Sequence, residues 1–205
     1  MTRLVDEDRA RGQVYSLLGH LLAGPPDAPL LESLRRARPE SGDTSLFAAS
    51  WELLAVAAAR AEPAALREEY EALFIGVGRG EIVPYGSWYL TGFLMEQPLA
   101  QLRGDLQSLG IERQAGICEP EDHAAALCDT MALLILGDEP ASLEQQHAFY
   151  ARHIEPWMAK FFRDLQKAPS ARLYRAIGQL GEQFIVVESE AFGVSIPAAG
   201  SKIPH

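Results

Sequence analysis

Cysteine is scarce: among 205 residues there are two, Cys118 and Cys128. Two thiols cannot build a disulfide framework for a chain of this length, and their spacing matches no zinc-ligand pattern. The expected compartment is therefore a reducing one. Long apolar runs are missing too. The longest, such as Met131 to Leu136, fall far short of the roughly 20 residues that cross a bilayer. The opening stretch MTRLVDEDRARGQVYSLLGHLLAG places Asp6, Glu7 and Asp8 ahead of any apolar run, where a secretory leader would carry basic residues. The expectation is a cytoplasmic protein with no signal peptide and no stable membrane insertion. Positive charge is the third deficit. With 18 Lys and Arg against 28 Asp and Glu, the formal net charge is −10. Such a chain repels a phosphate backbone and suits a cationic partner, so nucleic acid is not expected to bind.

Strand signals are nearly absent. The cluster Phe184 to Val187 is rich in β-branched residues, but it lies inside a helical pattern. Elsewhere apolar residues recur at three and four, as helices require. Val14, Leu17, Leu18, Leu21 and Leu22 form one stripe, and Phe47, Trp51, Leu54 and Ala58 another. Leu66, Tyr70, Leu73 and Phe74 follow Pro63, which suits a first helical turn. Gly86 to Leu109 reads as one helix kinked or broken near Pro98. A further helix is expected to start at Pro120, with Glu121 and Asp122 favoured by its dipole. Tyr150, Ile154, Trp157, Met158, Phe161, Phe162 and Leu165 mark the next stripe, and Leu173 to Val187 the last. Gly24-Pro25-Pro26, Pro39 to Asp43, Gly76 to Pro84, Gly110 to Glu119 and Gly137 to Pro140 separate these patterns. An all-α bundle of about eight to ten helices around one core is predicted, as a single domain over 1–190 with a flexible tail over 191–205.

Four segments could carry chemistry. Gly76-Val77-Gly78-Arg79-Gly80 lacks the lysine and the spacing of a phosphate loop and reads as a flexible connector. Glu119, Asp122 and His123 are types that ligate metals, yet no second helix supplies an HxxxH or ExxH partner. A helix starting at Pro120 would place His123 on the apolar face with Leu127 and Met131. Pro84-Tyr85-Gly86-Ser87-Trp88-Tyr89, followed by Phe93, puts three aromatics within five residues. On a helix Tyr85 and Tyr89 would align, giving one aromatic, polar-tipped side suited to a peptide groove. Ser87 has no nucleophile elbow around it. Trp157, Phe161 and Phe162 read as core.

Three of these stretches together resemble the TorD/DmsD/NarJ family of cytoplasmic molybdoenzyme maturation chaperones. Glu69-Tyr70-Glu71-Ala72-Leu73-Phe74 resembles its ExxxLF signature, with Glu69, Leu73 and Phe74 at the signature positions. Pro84 to Tyr89 resembles its proline, aromatic, serine, aromatic segment, and Glu119-Pro120-Glu121-Asp122-His123 its E-P-x-D-H signature. The order and spacing agree over most of residues 5–190. The chain departs at Gly86, often acidic in the family, and at the single Pro84, where two prolines are frequent.

The resemblance implies a binding protein rather than an enzyme. It would bind the twin-arginine signal peptide and apo form of a molybdenum oxidoreductase catalytic subunit, with a hinge near 110–120 close to the peptide groove. Tyr85, Ser87, Trp88, Tyr89, Phe93, Glu119, Pro120, Asp122 and His123 are the expected peptide-binding residues, with no cofactor, no metal and no catalytic residue. A homodimer is compatible with it. The chain's chemistry suits that role: paired arginines want carboxylates, and an apolar stretch wants a hydrophobic trough. The competing expectations are a small helical metal-dependent hydrolase using Glu119, Asp122 and His123, and a plain self-associating helical scaffold.

Overall fold

A computed structural model describes residues 6–39, 42–113 and 119–195. Ten α-helices follow one another within them: α1 Asp6–Ala23, α2 Ala28–Arg36, α3 Leu46–Arg60, α4 Pro63–Tyr70, α5 Gly86–Thr91, α6 Gln97–Ser108, α7 Ala124–Leu136, α8 Leu143–His153, α9 Met158–Lys167 and α10 Leu173–Ser195. A π-turn, Glu71–Ile75, continues α4. The β-type pairing among the described residues is one isolated bridge, Tyr85 to His123. The predicted all-α architecture holds.

Most helix starts are chemically explicit. Asp27 caps α2 by accepting from Leu30 N at 2.9 Å, and Ser45 caps α3 through Ala48 N at 3.1 Å. Ser142 and Gln145 form a reciprocal capping box on α8. Pro63 stands in the first turn of α4, where its missing N–H loses nothing. The start of α10 is held from a distance. Glu69, buried on α4, accepts from the backbone N–H of Arg172 at 2.7 Å, Leu173 at 3.3 Å and Tyr174 at 2.8 Å. Its charge also opposes the positive end of the helix dipole. Tyr174 then donates its hydroxyl to Leu21 O and Gly24 O, and Tyr70 donates to Leu22 O, so the same corner receives the last carbonyls of α1. Phe74 packs against both tyrosine rings, and Leu73 is fully buried beneath them.

The core is built on α1, α7, α9 and α10. α1 lies along α7 at short range, because a Cβ at Gly12 would stand 2.4 Å from Leu136 Cγ, and one at Gly19 would stand 2.1 Å from Asp129 Oδ1. The two glycines are two turns apart and share one face of α1. Phe161, Phe162 and Leu165 on α9 meet Ile177, Leu180 and Phe184 on α10, all buried. Glu188 is fully buried on α10. It receives Arg11 in two hydrogen bonds of 2.7 and 3.0 Å and Tyr15 Oη at 3.1 Å, which fixes α1 against α10. Trp157 is buried, as its core reading required.

Several boundaries differ from expectation, each for a local reason. Gly86 to Leu109 is two helices. α5 ends at Gly92, whose φ of +84° stops the helix, and Pro98 starts α6 rather than breaking it. The stripe from Tyr150 to Leu165 is likewise split by a turn after His153. α7 begins at Ala124, not Pro120. His123 therefore caps that helix instead of joining its apolar face. α10 continues through Ser195, past the point where the tail was expected to begin. Cys118, the middle of the expected hinge and the tail beyond residue 195 lie outside the described residues.

Glu69→Ala removes three charge-assisted contacts and leaves the α10 start uncapped in the interior. It is expected to lower stability by about 3 kcal/mol, and the melting temperature by about 6–12 °C. Glu69→Gln, which keeps an acceptor oxygen, should recover part of the loss. Thermal melts of the three proteins check this; an unchanged melting point in Glu69→Ala would remove Glu69 from its assigned role.

Candidate functional site

The glycine loop after the π-turn aims the next segment. Gly76 has φ +60°, and a Cβ there would meet Arg79 O at 2.0 Å, so glycine is required. The loop returns onto the π-turn, with Ile82 N donating to Leu73 O at 2.8 Å and Glu81 N to Ala72 O at 3.2 Å. The expected flexible connector is thus a tight, hydrogen-bonded reversal. It delivers Pro84 to Tyr89 to the segment that precedes α7.

There the two stretches clamp each other through their backbones. Ala124 N donates to Pro84 O at 2.8 Å, and Gly86 N donates to Asp122 O at 2.9 Å. The Asp122 carboxylate accepts from Ser87 N at 2.8 Å and so caps α5, whose own N-cap residue, Tyr85, has no oxygen in place to do so. Asp122 and Ser87 are both buried, and Asp122 Oδ1 and Ser87 Oγ have no partner among the described residues. His123 accepts from Ala125 N through Nδ1 at 3.1 Å and caps α7. Burial holds its pKa down to about 4, against the opposing pull of the Asp122 charge. Tyr85 sets its ring edge-on to the imidazole, 5.2 Å between centroids, and donates its hydroxyl to the Glu119 carboxylate.

The clamp brings together Tyr85, Ser87, Glu119, Pro120, Asp122 and His123. It does not produce a single aromatic side. Tyr85 lies outside α5, so the expected alignment with Tyr89 fails. Trp88 is half-buried under Arg79, whose guanidinium sits 4.6 Å from the ring centre. Tyr89 stacks on Trp157 at 5.3 Å, and the Lys160 ammonium lies over the Tyr89 ring, 5.2 Å from its centre; burial first, then neighbouring Asp164, raises its pKa. Phe93 belongs to the loop between α5 and α6 and is 67% exposed, beside exposed Leu94 and Met95.

Beside the clamp, between the end of α6 and the start of α7, lies an open groove of about 570 Å³. Four carboxylates line it, those of Glu112, Glu119, Glu121 and Asp129, against the two guanidiniums of Arg103 and Arg113. Leu106, Ile111 and Ala126 add apolar wall. Glu121 receives Arg103 Nε at 3.0 Å and Nη2 at 2.8 Å, with Arg113 Nη1 at 3.8 Å, while Arg113 Nη2 donates to Glu119 O at 2.7 Å. Burial raises the Glu121 pKa, but the Arg103 hydrogen bonds and charge outweigh it and leave it below the usual value.

Sequence reasoning gave Glu121 only a general charge role and missed Arg103, Arg113 and Arg79. Their partners are distant in the chain, and no spacing rule connects them. The hydrolase alternative meets a different arrangement. Asp122 turns inward to Ser87, His123 to Ala125 and Glu119 to Tyr85, and no group of three His, Cys, Asp or Glu among the described residues is placed to hold a metal. No described helix is long and apolar enough to cross a membrane.

Comparison with known proteins adds identity to this geometry. Residues 40–163 match the family described as nitrate reductase delta subunit. The chaperone protein TorD of Shewanella loihica is 27% identical over 91% of this chain and 94% of its own length. A Haemophilus influenzae protein named as a Tat proofreading chaperone, DmsD, is 30% identical over 56% of each chain. A solved structure from Archaeoglobus fulgidus, described as a candidate redox enzyme maturation protein, superposes with a TM-score of 0.54 at 15% identity, covering 91% of this chain and 97% of that one.

The buried imidazole makes stability depend on pH. The unfolded ring takes its proton near pH 6.5, the folded ring only at about pH 4. The stabilisation is therefore complete above pH 6.5 and is lost as pH falls towards 4, by about 3 kcal/mol in all. His123→Ser keeps a capping acceptor and removes the titration. Its melting temperature should fall less than the wild type's across that window; parallel curves would show that His123 is not held neutral.

Proposed function

The chain belongs to the family described as nitrate reductase delta subunit, and on that premise we propose that it is a dedicated chaperone for a molybdenum oxidoreductase. It binds the twin-arginine signal peptide and the apo form of the catalytic subunit. It holds them in the cytoplasm until the cofactor is inserted, before export or assembly. The names of the TorD and DmsD relatives support this role.

The observation that carries the reading is the groove beside the clamp, where carboxylates outnumber guanidiniums and share the walls with Leu106, Ile111 and Ala126. Adjacent arginines in a peptide pair with such carboxylates in two-pronged hydrogen bonds that fix register, and an apolar stretch follows along the wall. Glu119 and Glu121 are the arginine acceptors. Tyr85 and His123 hold Glu119 and the groove's edge in place, while Ser87, Pro120 and Asp122 fix the backbone beneath. Exposed Phe93, in the loop after α5, offers a further apolar contact, and Trp88 and Tyr89 lie on that short helix. The role involves no bond-making step and assigns no catalytic residue. Ordering a flexible leader offsets much of the contact energy, so micromolar affinity, about −8 kcal/mol, is expected. Weak binding suits a client that must leave.

Two measurements test the reading. Tagged protein purified from its host should bring down a molybdoenzyme catalytic subunit identifiable by mass spectrometry. Calorimetry with that subunit's leader peptide should show binding about tenfold weaker in the double variant Glu119→Gln, Glu121→Gln, because two charge-assisted contacts are lost. The salt dependence should flatten as well. Equal affinity and equal salt dependence in the double variant would overturn the assignment of the groove.

A further inference from the structure

The groove's most enclosed acid, Glu121, is already met by the chain's own arginine. Arg103 reaches Glu121 through both Nε and Nη2, at 3.0 and 2.8 Å, with both donors converging on Oε2, so two guanidinium donors already occupy the carboxylate an incoming arginine would pair with. The pair is asymmetric in exposure: the Arg103 side chain is 53% exposed and that of Glu121 17%. The acid is thus fixed in the wall, while the guanidinium lies on the solvent side and can swing away on its flexible stem. Arg113 stands second in line, 3.8 Å from the other Glu121 oxygen and bonded to Glu119 O. Both internal arginines therefore converge on the Glu121 carboxylate, one of the two assigned to the ligand.

We infer that Arg103, seconded by Arg113, is a built-in competitor: it occupies Glu121 in the free chaperone and is displaced when the client's arginine pair enters. This inference rests on the reading of the groove as the receptor for an arginine-bearing peptide. Its consequence is opposite to that of a structural role. An exposed ion pair is worth little to folding, so removing Arg103 should leave stability nearly untouched and free an acceptor for the ligand.

The test uses the full chain and a synthetic peptide with two adjacent arginines followed by an apolar stretch, beside a control with two glutamines in their place. R103Q is expected to bind the arginine peptide about three- to fivefold more tightly than wild type, the range set by an exposed ion pair. The control should gain nothing. In an E121Q background, R103Q should change affinity no further, since the contested acid is gone. R113Q should give a smaller gain. Equal or weaker binding by R103Q, with wild-type binding intact, overturns the competitor while leaving the receptor reading in place. If neither wild type nor R103Q distinguishes the arginine peptide from its control, the receptor reading falls, and the competitor with it.

Discussion

A buried helix start leaves backbone N–H groups that water cannot reach, and this fold depends on how those groups are satisfied. The decisive interaction is the carboxylate of Glu69 on three N–H groups at the head of α10. α10 is the longest described helix and the one against which α3 and α9 pack. Without a partner for its first turn, the helix could not begin inside the protein. The same device recurs at smaller scale. Asp122 caps α5 from across the clamp, and His123 caps α7. Two of these three acceptors lie distant in sequence from the helix they start, so each also ties remote parts of the chain together. Residues that look like a binding signature are, in the first instance, what lets these helices start where they do.

This explains how far the sequence could be read. Stripes of apolar residues located the helices because burial demands that periodicity, whatever the neighbours are. Boundaries failed where the stop or start came from elsewhere. Nothing local to Gly86 announces that Asp122 will cap it, and Pro120 looks like a helix start although the chain turns three more residues before Ala124. Family resemblance implied only that the segment of Glu119 and His123 lies near the groove; its direct contact with Tyr85 follows from no spacing, since one belongs to a loop beyond the π-turn and the others precede α7. Solvent exposure was the least legible property. Asp122 and Glu121 are adjacent and chemically alike, yet Asp122 is buried with its carboxylate on the start of α5, and Glu121 opens on the groove. Only the packing of α5 and α6 decides which is which.

On the proposed reading of the groove as a peptide receptor, that division between neighbours reconciles a rigid scaffold with reversible binding. An acid that caps a buried helix cannot be lent to a ligand, because withdrawing it would expose unsatisfied N–H groups at a cost of about 1–3 kcal/mol each. An acid on the groove wall can change partners freely. When its starting partner is itself a guanidinium, the exchange replaces one arginine–carboxylate pair by another and brings no new charge out of water unpaired. The electrostatic part of binding is then reduced by that internal competition and serves register, while the apolar stretch that follows the arginines supplies most of the affinity. Such a receptor discriminates by charge pattern without holding its client tightly. The proposed chaperone, which must surrender its client, needs that combination, and the separate placement of Asp122 and Glu121 within a single turn of chain is suited to it.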